Sequence, residues 1–135
     1  METEQTTTGA SDLNKTILVV DDEPGILQLV AAILSAQPYR VLLADSGLKA
    51  LEIYRQHGPG IDLVLTDVMM PGMSGLVLAE RMKATRQNLP VLYMTGGTLG
   101  TLSAGSLDRR LCLLKPFDPT ALIHTIQSLL EAVDA

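Results

Sequence analysis

"LVVDDEPG", residues 18–25, runs apolar residues directly into three adjacent carboxylates, Asp21, Asp22 and Glu23. With Ile17 counted, three of the four residues before Asp21 are β-branched, as a strand prefers. Nothing nearby in the sequence neutralises the acids. A buried strand that ends in like charges needs a reason, and the other apolar runs supply one.

Those runs are "TILVV" (16–20), "RVLLA" (40–44), "DLVLT" (62–66), "PVLYM" (90–94) and "LCLL" (111–114). All but one are too densely apolar for half-exposed antiparallel strands, so a parallel sheet covered on both faces is expected. Amphipathic helical patterns separate them. The first spans about 24–36, with Pro24 in the first turn and Ile26, Leu27, Val30, Ile33 and Leu34 on one face. The second covers 46–57 and the third 74–86, with Ser46 and Ser74 as N-caps. In the last, Asp118 caps, Pro119 opens, and Leu122, Ile126, Leu129, Leu130 and Val133 form the stripe. Five strands and four helices in alternation define an α/β, doubly wound class. The segment "GGTLGTLSAGSLDRR" (96–110) holds four glycines, so a helix there is expected to be short, frayed or absent.

The chain has 135 residues, 47 % of them apolar but only 3 % aromatic, which predicts an aliphatic core. A net charge of -5 and no basic stripe argue against nucleic acid as a partner. One cysteine, Cys112, excludes an internal disulfide and suits a reducing compartment. No run approaches the roughly 18 apolar residues needed to span a bilayer, and no signal pattern opens the chain. The expectation is a cytoplasmic protein with no membrane contact, a flexible tail over 1–14 and one domain over 15–135.

In an open parallel sheet, ligands bind along the edge formed by the C-terminal strand ends. Asp21 and Asp22 follow the first run, Asp67 the third, Thr95 the fourth and Lys115 the fifth. A flavodoxin-like strand order, 2-1-3-4-5, makes the first and third strands neighbours, and that brings the acids together. Three carboxylates and one lysine sum to -2, a charge that one divalent cation balances. Hard oxygen ligands select Mg2+ or a similar ion such as Mn2+. No P-loop glycine pattern is present.

"VVDDEPG", "TDVMMPGMSG", "MTGG" and "LLKPF", in this order, resemble the receiver domain of bacterial two-component response regulators. The resemblance covers about Lys15 to Val133. It implies that Asp67 accepts a phosphoryl group from a histidine kinase or phosphotransfer protein. It further implies that Asp21, Asp22, Asp67 and the Met69 carbonyl hold the metal. Thr95 and Lys115 would contact phosphoryl oxygens, across a cis Lys115–Pro116 bond. The short 96–110 segment and "LLKPF" are similar to receivers attached to hybrid sensor kinases. Where receivers carry Phe or Tyr, three residues before the lysine, this chain has Cys112. The usual threonine-to-aromatic coupling therefore cannot operate in its ordinary form, and the two expectations are that 96–110 orders in its place or that it is a floppy loop with a weakened switch.

Plainer roles are assigned elsewhere. Glu23 is a favourable charge at a helix N-terminus. His57 lies near a helix C-terminus, His124 faces solvent, and Met69, Met70 and Met73 pack loops. No Asp, Glu, Lys or Arg occurs from Gln87 to Leu107 or from Pro119 to Leu130, so the 96–133 face is a candidate for homodimer or effector contact. No stretch after Val133 could form an output domain, which leaves output to a partner, to relay, or to a domain outside this sequence. The competing readings are a receiver fold that binds partners without phosphorylation, and an aspartyl-phosphate hydrolase. The latter's D-x-D is absent, since Asp67 is followed by Val68 and Met69.

Overall fold

The structure, a computed structural model, describes residues 15–96, 112–115 and 118–134. The expected tail, nearly all of the 96–110 segment, Gly97 and the Lys115–Pro116 bond lie outside the described residues. Within them, five strands and four α-helices alternate: β1 (Thr16–Val20), α1 (Pro24–Ser35), β2 (Arg40–Ala44), α2 (Gly47–His57), β3 (Leu63–Asp67), α3 (Gly75–Lys83), β4 (Val91–Thr95), β5 (Cys112–Leu114) and α4 (Pro119–Asp134). All strand pairs are parallel and the order is β2-β1-β3-β4-β5, as the sequence pattern predicts.

Side chains alternate across the sheet, so each central strand feeds two cores. Ile17, Val19, Leu63, Leu65, Leu92 and Met94 pack with Val30 and Leu34 of α1 and with Leu122, Ile126 and Leu130 of α4. Leu18, Val20, Val64, Val91 and Tyr93 pack on the other face with Ala50 of α2 and with Leu78, Ala79 and Met82 of α3. This is why the central runs lack polar positions.

Local chemistry sets the boundaries. Ser46 and Ser74 accept from the N–H groups of Lys49 and Val77, and Asp118 accepts from Ala121, each a side-chain cap of a helix start. Gly58, at φ 47°, turns the chain out of α2. Three element ends differ from the sequence reading. β3 and β4 each run one residue further, so Asp67 and Thr95 end their strands rather than follow them. The ladder persists because the Val68 N–H still donates to the Met94 carbonyl at 2.9 Å. α3 ends at Lys83 rather than near 86. Leu89 has to reach the core and precedes Pro90, a position that disfavours helix, and Thr85 caps the Met82 carbonyl with its hydroxyl.

Gly75 explains how α3 approaches the sheet so closely. Its N–H donates to the Val68 carbonyl at 2.9 Å. A Cβ at this position would run into the Asp67 carbonyl oxygen, with the Asp67 carbonyl carbon at 3.0 Å and Thr66 Oγ1 at 3.1 Å. Most of this obstacle is backbone and cannot swing away. Gly75→Ala is expected to destabilise by about 1–3 kcal/mol, as overpacking does. Gly25→Ala, at a helical position with open space around it, should be neutral or stabilising by about 0.5–1 kcal/mol. Urea unfolding of the two variants checks the contrast.

Candidate functional site

The sheet edge is built by backbone before any side chain acts. Asp21 stands one residue past β1, held by its N–H to the Ala44 carbonyl at 3.1 Å. Asp67 closes β3 opposite Met94, and the Thr66 hydroxyl donates to its carbonyl at 3.0 Å. Thr95 closes β4, and its carbonyl accepts the Lys115 N–H at 2.8 Å across to β5. The five predicted side chains therefore start from fixed points along one edge.

Asp21, Asp22 and Asp67 each present a carboxylate oxygen within 4.8 Å of the others, with Asp21 and Asp67 buried and Asp22 exposed. Among the described residues this is the one grouping of three His, Cys, Asp or Glu side chains with such spacing. Neither His57 nor His124 joins it. The fully buried Asp21 accepts the Glu23 N–H on Oδ1 at 2.9 Å and Lys115 Nζ on Oδ2 at 2.8 Å. Asp67 accepts the Met69 N–H on Oδ1 at 3.4 Å, and its Oδ2 lies 3.5 Å from Lys115 Nζ. Thr95 is fully buried. The Met69 side chain is 55 % exposed at the rim and packs little.

The charges that the local sequence leaves unbalanced are met by Lys115, 94 positions from Asp21 along the chain. Glu23 differs from expectation. It stands at the α1 N-cap, but its side chain makes no capping bond; its carboxylate lies 3.4 Å from Lys115 Nζ. One ammonium thus serves three carboxylates. Nothing in the sequence flagged Glu23 for this role beyond its place in the acid run.

Burial raises the pKa of Asp67 above its ordinary value, and the Asp21 charge adds to the rise; Lys115 and the Met69 N–H pull it back without cancelling it. Burial alone would lower the pKa of Lys115, but its hydrogen bond to Asp21 and the charges of Asp21, Asp67 and Glu23 outweigh that, leaving it raised. The site therefore carries more negative charge than its lysine neutralises. The donor set is all oxygen, two of the acids are preorganised by burial, and Asp67 is held in an unfavourable charged form. That combination fits a hard divalent cation.

Cys112 lies half-buried in β5, in register with Tyr93 of β4. Both belong to the core facing α2 and α3. An aromatic ring does occupy this face, but from the neighbouring strand. Burial, with Cys112 beside it, raises the pKa of the Tyr93 hydroxyl. The sequence reading noted the missing aromatic at 112 and passed over this one.

An acid cluster and a lysine at the C-terminal edge of a 2-1-3-4-5 sheet are the arrangement that the resemblance to receiver domains leads one to expect. The sequence model of the response regulator receiver domain matches residues 17–127, and the chain belongs to that family. It is 37 % identical over 108 residues to sporulation initiation phosphotransferase F of Bacillus subtilis, covering 78 % of this chain and 86 % of that protein. It is 38 % identical over 130 residues to the transcriptional regulatory protein ZraR of Escherichia coli, covering 90 % of this chain. The chain spans only 28 % of ZraR and 49 % of the response regulator GtcR of Aneurinibacillus migulanus. The crystal structure of a response regulator receiver domain protein from Clostridium thermocellum superposes with a TM-score of 0.79 at 29 % identity, covering 89 % of this chain and 97 % of that one.

The raised pKa of Asp67 has a consequence for stability. The folded chain holds this proton more tightly than the unfolded chain, so the stabilisation is complete below the ordinary value of 3.8 and is lost as pH rises through the raised value. At neutral pH the ionised Asp67 is a liability. Asp67→Asn is expected to raise the melting temperature of the metal-free protein at pH 7, and Mg2+ is expected to raise that of the wild type more than that of the variant. Thermal melts with EDTA or Mg2+ check both. Lys115 follows the same rule at higher pH: its stabilisation is complete below 10.5 and is lost as pH rises through its raised value.

Proposed function

We propose that Asp67 is the phosphoacceptor of this receiver domain, in a reaction that depends on a divalent cation, Mg2+ or Mn2+, held by Asp21, Asp22, Asp67 and the Met69 carbonyl. The observation that carries this is the Asp67 carboxylate at the sheet edge, close to two further acids and within 3.5 Å of Lys115. A carboxylate oxygen of Asp67 attacks the phosphorus of a phosphohistidine on a histidine kinase or phosphotransfer protein. The phosphorus–nitrogen bond breaks, its electron pair stays on the imidazole, and an aspartyl phosphate remains. The cation, when bound, supplies charge neutralisation for the phosphoryl oxygens. Lys115 moves from carboxylate to phosphoryl oxygen over a short distance, and the Thr95 hydroxyl donates to another. The domain turns over only its own phosphoryl group and acts as a switch.

We assign the domain to 15–135, the tail to 1–14 and the setting to the cytoplasm, which suits a chain with a single cysteine and hence no internal disulfide. No described helix is long and apolar enough to cross a membrane. The signal is passed to a partner or to a second copy of the chain through the 96–133 face, where α4 carries no charge from Pro119 to Leu130. Reduced phosphate-dependent association of Ser128→Arg in sedimentation supports that face; unchanged association removes it.

Intact mass after incubation with acetyl phosphate and Mg2+ tests the chemistry. A gain of one phosphoryl group, lost with EDTA and in Asp67→Asn, is expected. No gain, with Mg2+ still stabilising the fold, would favour a phosphorylation-independent binding module, the reading that Cys112 supports. The exposed thioether of Met69 offers no polar group to orient water at the phosphoryl site. Slow self-dephosphorylation is therefore expected, and Met69→Asn should accelerate it by up to about tenfold, the worth of one ordinary hydrogen bond. Decay of the phosphorylated mass with time measures this.

A further inference from the structure

At the edge of the sheet opposite the acids, the chain leaves a cavity of about 450 Å³ lined by Tyr54, Arg55, Gly58, Pro59, Thr85 and Arg86. It lies between the C-terminal end of α2 and the turn that follows α3. Its size falls in the range of about 300–1,000 Å³ typical of small-molecule sites.

Two features of its walls point to a ligand class. The first is charge. Arg55 and Arg86 both line the cavity, and among the described residues neither pairs with a carboxylate. In a chain with 15 acidic and 10 basic side chains, two unpaired guanidinium groups on one cavity are not expected from composition. The helix dipole accounts for Arg55, which lies in the last turn of α2. It does not account for Arg86, which lies beyond the end of α3. Arg86 is anchored by a hydrogen bond from Nη1 to the Ile61 carbonyl, which fixes the guanidinium and leaves its other N–H groups for a ligand. The second feature is shape. The Tyr54 ring is tied across to α3, its hydroxyl 3.4 Å from the Met82 carbonyl and 3.5 Å from Thr85 Oγ1. With the Pro59 ring it offers flat apolar surface beside the cations. A guanidinium fork matches a carboxylate in bidentate geometry, and flat walls match an aromatic ring.

We propose that this cavity is a binding site for a small aromatic carboxylate, separate from the phosphotransfer edge. The carboxylate is held by Arg86 and Arg55, and the ring lies against Tyr54 and Pro59.

The probe is 2-naphthoate, titrated into the 15N-labelled chain, with 2-naphthamide as its uncharged counterpart. Saturable shifts confined to the amides of 54–60 and 82–86 are expected, with the amide binding about tenfold more weakly or worse. Arg55→Gln should weaken naphthoate about tenfold, and Arg86→Gln at least as much. Arg55 is exposed and makes no side-chain hydrogen bond or ion pair among the described residues, so its variant tests the site with little effect on the fold. Unchanged Mg2+-dependent phosphorylation from acetyl phosphate verifies that each variant is folded. Equal binding of naphthoate and naphthamide, equal binding by Arg55→Gln, shifts that map elsewhere, or no saturation by about 10 mM would each overturn the proposal.

Discussion

The constraint on which the rest of the site depends is the crowding of carboxylates around Lys115. A parallel sheet delivers its strand ends to one edge whatever their charge, and here the ends of β1 and β3 deliver acids. Two like charges about 4 Å apart repel by about 1 kcal/mol in water and by about 4 kcal/mol at the effective dielectric of a protein surface. The backbone cannot relax to separate them, because β1 and β3 are paired in parallel register from Ile17 and Leu63 to Val20 and Thr66. Among the described residues, Lys115, 2.8 Å from Asp21 and 3.5 Å from Asp67, is the cation that pairs with these acids. Its single charge leaves the site electronegative. That surplus is what a bound divalent cation would relieve.

The same edge must be held to tolerances that charge alone does not set. The loop after β3 returns through Gly72, at φ 81°, and enters α3 at Gly75, where backbone meets the Asp67 carbonyl directly. Met73 from this loop closes on Gly47 at the start of α2; a Cβ there would meet its sulfur at 2.8 Å. Two glycines with unrelated sequence contexts thus fix the end of one loop, Gly47 of α2 against Met73 and Gly75 against the end of β3. The position of Asp67 is a packing result as much as an electrostatic one.

Much of this was legible in the sequence, for a definite reason. Apolar runs of four or five residues ending at Asp21, Asp67, Thr95 and Lys115 announce both the sheet and its functional edge, because parallel topology converts strand order into spatial adjacency. Side-chain contacts between distant segments carry no such signal. Glu23 reads as a helix-start charge, and only the folded chain brings Lys115 to 3.4 Å from it. Gly75 reads as the residue after a serine cap. The early end of α3 was hidden because residues 84–86 keep helical propensity while Leu89 and Pro90 demand a turn. Tyr93 looked like one more strand residue until register set it beside Cys112.

That last pairing bears on how the domain reports its state. A thiol at 112 is too small to sweep out a large volume by rotating, so movement of the Thr95 hydroxyl has no aromatic side chain on β5 to displace. Tyr93 is two residues before Thr95 on β4, hence on the same face of the sheet, and it is almost fully buried among the residues that pack α2 and α3. A ring so enclosed does not rotate freely between inside and outside, since a close-packed interior admits discrete rearrangements rather than gradual ones. An aromatic switch at position 112 is therefore ruled out by the sequence and the strand register alike. In this chain the acid edge brings together the residues expected there, while the aromatic ring on the face of α2 and α3 comes from β4 rather than β5.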